Sequence, residues 1–183
     1  SLDKQIINAN IFSVKSSLLC TTIENKYGLS VSTIEHLMAA LHALSVDNLL
    51  IDIDSSEMPI LDGSSFEFCK TIINVGLKKL KTKRSYLKIL KSIEVKRKNA
   101  YIKIEPNDHL SIDYTINYPG TVVGRQNINI DFVNQNSFNS MLANCRTFTF
   151  ETELDNLRAN GIIKGGSLDN AVVFGEDSPL NNE

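Results

Sequence analysis

The sequence predicts an α+β protein built as two similar layered domains, residues 1–80 and 84–183, each a mostly antiparallel sheet packed with helices, with an active site at the domain junction. Three observations predict it. The chain has 183 residues, 42% of them hydrophobic, enough for one large core or two of roughly 80 to 100 residues each. Its hydrophobic pattern changes along the chain between the two-residue repeat of strands and the 3.6-residue repeat of helices. A cationic run from Lys78 to Ser85 separates the two patterned stretches.

In the first stretch, Ser17–Glu24 and Leu49–Asp54 read as strands, the second with Leu49, Ile51 and Ile53 on one face. Between them Ser32 and Glu35 have the spacing of a capping box and open a helix that runs to about Ser45. Ile34, Leu37, Met38, Leu41 and Leu44 share one face of it. Ser64 and Glu67 form a second capping box, and Phe66, Cys69, Ile72 and Ile73 give the next helix its apolar stripe. Gly76 suits the end of that helix.

Beyond the boundary, Tyr86–Lys98, Ala100–Glu105 and Leu110–Tyr118 alternate as an antiparallel meander with a turn near Asn99. A strand at Ile128–Phe132, a short helix at Ser137–Asn144 and a strand at Thr147–Phe150 follow. A helix over Glu151–Asn160 ends at Gly161, and Leu168–Phe174 is the last strand.

Composition excludes several classes. With 19 basic and 21 acidic residues and 7% aromatics, the chain is neither a disordered tail nor a coiled coil. No run of about 18 apolar residues exists to form a transmembrane segment, and residues 1–9 lack the pattern of a signal peptide. Cys20, Cys69 and Cys145 are odd in number and far apart, which suits a reducing cytoplasm. Twelve of the 19 basic residues fall between Lys70 and Lys103 beside one acid, Glu94. A phosphate- or nucleic-acid-binding module built on this 70–103 block is the alternative function. The solvated face of a sheet is the favoured reading, because few aromatic side chains, only Tyr86 and Tyr101, are interleaved for base stacking.

His36 is the most informative polar residue. At about 100° per residue it lies away from the leucine face, beside Ala39, Ala40 and Ala43, where small side chains admit a close neighbour. On local grounds an ordinary half-buried imidazole beside a capping Glu35 remains the favoured reading. His42, six residues on, is about 240° around the helix and cannot share a metal with it. Asp62-Gly63-Ser64 could equally be an anion-facing helix start or a plain turn. Cys145-Arg146-Thr147 has no neighbouring base, and Gly165-Gly166-Ser167 reads as a tight turn into a strand.

These segments together resemble a known family. Val31 to Leu41 (VSTIEHLMAAL), Asp47-Asn48, Met58 to Ser64 (MPILDGS), Cys145 to Phe150 (CRTFTF) and Gly161 to Ala171 (GIIKGGSLDNA) are similar, in the same order, to the UDP-3-O-acyl-N-acetylglucosamine deacetylases of lipid A biosynthesis. The resemblance implies a zinc-dependent, cytoplasmic, monomeric hydrolase of Gram-negative bacteria. Its substrate would be UDP-3-O-acyl-N-acetylglucosamine, with no nucleic-acid partner. It implies His36 as a zinc ligand, Glu35 as general base, Asp62 as the acid of the D-G-S motif and Thr147 as the hydroxyl supporting the oxyanion. Phe148 and Glu153 match positions that contact the sugar nucleotide, and Leu19 and Cys20 fall near the active site. A βαβ insert over residues 148–174 would wall the acyl-chain passage. The remaining zinc ligands, in an H-K-x-x-D motif, and the general-acid His would fall beyond Glu183, and the family's opening strands before Ser1. The expectation is therefore an internal fragment, inactive alone.

Overall fold

The computed structural model describes residues 2–132, 138, 140–159 and 166–181. The described chain is α+β, with few helices and several small sheets. Its first sheet joins β1 (Val14–Ser16), β2 (Thr22–Glu24) and β3 (Ser30–Val31), with both pairings antiparallel. The Asn25 carboxamide accepts the Tyr27 and Leu29 amides at 2.9 and 3.1 Å and shapes the β2–β3 turn. The strand expected over Ser17–Glu24 is shorter than its pattern suggests. Leu19 takes φ 62°, a left-handed conformation that no ladder continues through, so pairing resumes only at Thr22.

Helix α1 (Glu35–Ala43) and helix α2 (Phe66–Val75) pack on one another. Neither starts as expected. The Ser32 amide and hydroxyl both go to the Ser56 carbonyl, at 3.0 and 3.3 Å, and the Ser32 carbonyl accepts the Met58 amide at 3.0 Å. Ser32 is thus consumed by a parallel bridge to Glu57, and α1 begins behind Ile34 without a side-chain cap. At α2 the Ser64 hydroxyl does accept the Phe66 amide at 3.0 Å, but Glu67 pairs with Lys70 instead of reaching back. Gly76 closes α2 at φ 85°, its amide on the Ile72 carbonyl.

The core lies between these helices and the 138–143 segment. Ala40, Ala43, Leu44 and Cys69 are buried with Phe138 and Ala143 in one cluster, while Leu37, Leu41 and Met58 form another. The alanine side of α1 is therefore packed as well as its leucine side, because small side chains let α2 and Ala143 approach closely. Met38, placed by periodicity on the apolar face, is 40% exposed. On α2 the buried residues are Cys69 with Phe68 and Ile72 beside it, whereas Phe66 and Ile73 face outward.

Leu49–Asp54 forms no ladder among the described residues, because no strand lies in register beside it. The expected meander is instead two separate antiparallel hairpins, β4–β5 (Ile93–Arg97, Ala100–Ile104) and β6–β7 (Ser111–Tyr118, Gly124–Asp131). Pro106 follows β5 and brings no amide to a ladder, which breaks the run between them. Tyr86–Ser92 joins no strand, and both faces of β4–β5 are exposed, Ile102 at 63%.

Strand β8 (Phe148–Phe150) runs into a 3-10 turn (Glu151–Glu153) and helix α3 (Leu154–Ala159), and pairs in parallel with β9 (Val172–Phe174). The ends proposed for the flanking helices, at Ser137, Asn160 and Gly161, lie outside the described residues, as does Gly165. β9 is shorter than expected because Ser167–Asn170 closes as a turn, with the Asn170 side chain accepting the Ser167 amide at 2.8 Å. No described helix is long and apolar enough to cross a membrane.

Candidate active site

The approach to α1 turns sharply at Thr33 (φ 60°), whose hydroxyl donates to the Glu57 carboxylate at 2.9 Å. This presents Glu35 at the first turn of the helix, exposed to solvent. Its carboxylate does not cap α1. It accepts the backbone amide of Thr21, and so ties the Leu19–Cys20–Thr21 loop to the helix start. Leu19 is exposed, and Cys20 lies 3.9 Å from the Thr22 hydroxyl. Both predicted residues therefore immediately precede the amide that Glu35 holds.

His36 is half-buried. Burial lowers its pKa below the ordinary 6.5, against the opposing pull of the Glu35 and Asp62 carboxylates. The neutral imidazole is thereby favoured, which is the form that binds a metal or accepts a proton. His42 is exposed in the last turn of the same helix.

Asp62 sits between two left-handed residues, Leu61 at φ 52° and Gly63 at φ 83°, in a turn closed by the Gly63 amide on the Ile60 carbonyl at 2.9 Å. Leucine in that conformation is strained, and such strain persists only where surrounding contacts hold it. Several do. The Asp62 carboxylate accepts the Ser64 hydroxyl at 2.9 Å and the Ser64 amide at 3.1 Å. The Gly63 carbonyl accepts the Thr147 amide at 2.8 Å, and the Thr147 carbonyl accepts the Val172 amide at 2.9 Å. A Cβ at Gly63 would lie 1.9 Å from the Asn170 carbonyl oxygen, so the D-G-S turn and the S-L-D-N turn touch backbone to backbone. The Ser65 hydroxyl adds a buried bond to the Ala143 carbonyl at 3.3 Å.

Four of the predicted residues are thus linked. Glu35 and Asp62 both act electrostatically on His36, and Asp62 is one residue from the carbonyl that holds Thr147, whose side chain is exposed. Phe148 is engaged differently: its ring meets Tyr118, Phe150 and Phe174 edge-on, at centroid distances of 5.6, 5.9 and 5.6 Å. Glu153 is exposed in the turn beyond the Phe150 end of β8, and no described contact joins it to Glu35, His36 or Asp62. Sequence reasoning alone does not mark Thr21, Ser64, Tyr118 or Asn170 as site residues. Ser64 and Asn170 carried a signal, since they lie inside the D-G-S and S-L-D-N motifs; Thr21 contributes a backbone amide, which no side-chain pattern marks.

His36 is a fitting ligand by itself, but among the described residues no group of three or more His, Cys, Asp or Glu side chains could hold a metal ion. Those residues do not make a closed zinc site. The cationic block is partly spent on ion pairs: Arg84 with Asp47, Lys96 with Glu94 and Lys103 with Glu105, at 2.8, 2.7 and 2.8 Å.

Comparison with known proteins matches residues 1–183 to the sequence profile of a family described as UDP-3-O-acyl N-acetylglycosamine deacetylase. Among curated relatives, the UDP-3-O-acyl-N-acetylglucosamine deacetylase of Nitratiruptor sp. is 39% identical over 160 residues, covering 87% of this chain and 53% of the relative. That of Nautilia profundicola is 39% identical over 169 residues, covering 92% and 57%. One from Helicobacter pylori is 37% identical over 162 residues, covering 88% and 55%. The chain spans little more than half the length of these relatives.

Proposed function

The chain belongs to the UDP-3-O-acyl N-acetylglycosamine deacetylase family, and from that premise we propose that it forms part of an enzyme that hydrolyses the N-acetyl group of UDP-3-O-acyl-N-acetylglucosamine. The products are acetate and the free amine, and the reaction serves lipid A biosynthesis in the cytoplasm of a Gram-negative bacterium, with the enzyme acting as a monomer. The observation that supports this most is that Asp62, which acts electrostatically on His36 together with Glu35, lies one residue from the Gly63 carbonyl that accepts the amide of Thr147, 85 positions further along the chain.

In this reading water adds to the acetamide carbonyl carbon while its proton passes to the Glu35 carboxylate, which is solvent-facing and so open to exchange. The carbonyl oxygen becomes an oxyanion, and the Thr147 hydroxyl donates to it. A donor fixed before the charge develops acts more strongly in the transition state than in the ground state. The C–N bond then breaks, leaving acetate and an amine; protonation of that amine is assigned to none of the described residues. Of the described residues, His36 would be the one to hold zinc. A metal held by three protein ligands lowers the pKa of its bound water, and His36 would be one member of a set completed by polypeptide outside these residues. Asp62, held in place by the Ser64 hydroxyl and amide, biases His36 electrostatically.

The division into 1–80 and 84–183, with the active site at the junction, belongs to the same proposal. The packing of Ala40 and Ala43 against Phe138 and Ala143 supports it. The assignment of β8, α3 and β9 to an insert that walls the acyl chain belongs to the proposal as well, and the cluster of Phe148, Phe150 and Phe174 rings supports it. Phe148, Glu153, Leu19 and Cys20 remain the proposed substrate contacts. The test is acetate release from UDP-3-O-acyl-N-acetylglucosamine by the full-length protein carrying this chain, before and after chelation. Release that ceases on chelation and returns with zinc supports the proposal, and a protein with no such activity that instead binds RNA in a salt-dependent way contradicts it.

A further inference from the structure

We propose that Ser64 is a positioning residue for the Asp62 carboxylate and acts on the reaction through it, over and above its place at the start of α2. The inference rests on the deacetylase reading of the site. Ser64 is fully buried, so its hydroxyl has no water to turn to and must be satisfied by protein. Its lone pair takes the Phe66 amide at 3.0 Å, which is all that helix α2 needs from it. The hydroxyl proton is left over. It points at Asp62, with Oγ 2.9 Å from both carboxylate oxygens, while the Ser64 amide reaches Oδ1 at 3.1 Å. An aspartate that shapes its own turn needs only that amide. The hydroxyl adds a second grip on the same carboxylate, from a side chain that burial has immobilised.

The grip has a functional consequence because of where Asp62 stands. The residue is only half-buried and flanked by two left-handed residues, so its side chain would otherwise rotate towards solvent. With the hydroxyl in place, its negative charge is held at a fixed position beside His36, one residue from the carbonyl that carries Thr147. Ser65 cannot substitute, since its own hydroxyl is committed to the Ala143 carbonyl. A hydrogen bond to a charged group is worth about 10- to 100-fold in an equilibrium or rate, and that is the effect expected here.

The experiment is a double-mutant cycle in the full-length enzyme: wild type, Ser64→Ala, Asp62→Asn and the pair, each with kcat, KM and Tm. Ser64→Ala is expected to lower kcat about 10- to 100-fold with KM within about twofold. Added to Asp62→Asn it is expected to lower kcat no further, because a residue acting through a partner has no effect once the partner is gone. Should Ser64→Ala fail to fold, Ser64→Cys keeps the side-chain volume with a far weaker donor and carries the same cycle. Losses that multiply in the double variant, or a change in Tm with kcat untouched, would reduce Ser64 to a helix cap and overturn this proposal alone. A wild-type enzyme that releases no acetate would overturn the deacetylase reading and this proposal with it.

Discussion

The Gly63 carbonyl accepts the Thr147 amide at 2.8 Å, and this single bond fastens the D-G-S turn, from the α1–α2 half of the chain, to the start of β8. Asp62 and Thr147 are thereby set on either side of one peptide group. The arrangement depends on glycine twice over. Gly63 is left-handed at φ 83°, and any side chain there meets the backbone of Asn170.

Gly63→Ala should therefore cost far more than an ordinary glycine substitution. Gly28 and Gly76 have nearly the same φ, 84° and 85°, but nothing within 4 Å of a Cβ, so alanine at either is expected to cost about 1 to 3 kcal/mol of backbone strain alone. At Gly63 the strain is joined by a 1.9 Å clash with a backbone oxygen that cannot move aside without parting the two turns. Urea denaturation of the three variants checks this. Equal losses at all three would mean that the Gly63–Asn170 approach is not a structural constraint.

Thr147→Val removes the hydroxyl and keeps the amide on Gly63, so the fold should hold while the oxyanion loses a donor. In the full-length enzyme kcat is expected to fall about 10²- to 10³-fold, with KM and Tm little changed. Steady-state kinetics on the variant read this directly, and an unchanged kcat would remove Thr147 from the chemistry.

The two ends of thiol accessibility give a pH test. Cys69 is 2% exposed and burial pushes its thiol above the ordinary 9.0, whereas Cys145 is exposed. A pKa raised on folding means that the unfolded thiol ionises first. Its contribution to stability is complete below the unfolded value and is lost as pH rises through about 9 towards the folded one. At pH 8 a thiol reagent should label Cys145 quickly and Cys69 only on the timescale of opening. Labelling of both at one rate would show that the α1–α2 core is not closed.

What the sequence reveals here follows the range of the interactions. The α1 and α2 helices and the β4–β5 turn are legible because periodicity and turn residues are local, whereas the pairing of β6 with β7 in place of β5 is not. Their starts are not, because Ser32 is drawn away by Ser56 and Met58, a contact across 24 residues that no capping pattern includes. Glu35 shows the same limit. Its spacing from Ser32 fits a capping box, yet its carboxylate goes to Thr21. The ladder pattern of Leu49–Asp54 is present without a neighbour to pair with, and periodicity cannot supply one. Among site residues, His36, Asp62 and Thr147 stand out through their motifs, whereas the backbone bonds that join them, Gly63 to Thr147 and Thr147 to Val172, carry no side-chain signature.

The account stands most directly on Glu35, and the measurement that tests it is kcat for acetate release by full-length Glu35→Gln, read beside metal content and Tm and with His36→Ala as the partner variant. Gln keeps an oxygen that can accept the Thr21 amide, so the loop and the fold should persist, but it cannot take a proton from water. The account predicts a fall in kcat of about 10²- to 10⁴-fold with zinc and Tm retained, while His36→Ala loses metal and turnover together. Turnover of Glu35→Gln at the wild-type rate would contradict it, and would leave Glu35 as the anchor of the Leu19–Thr21 loop and nothing more.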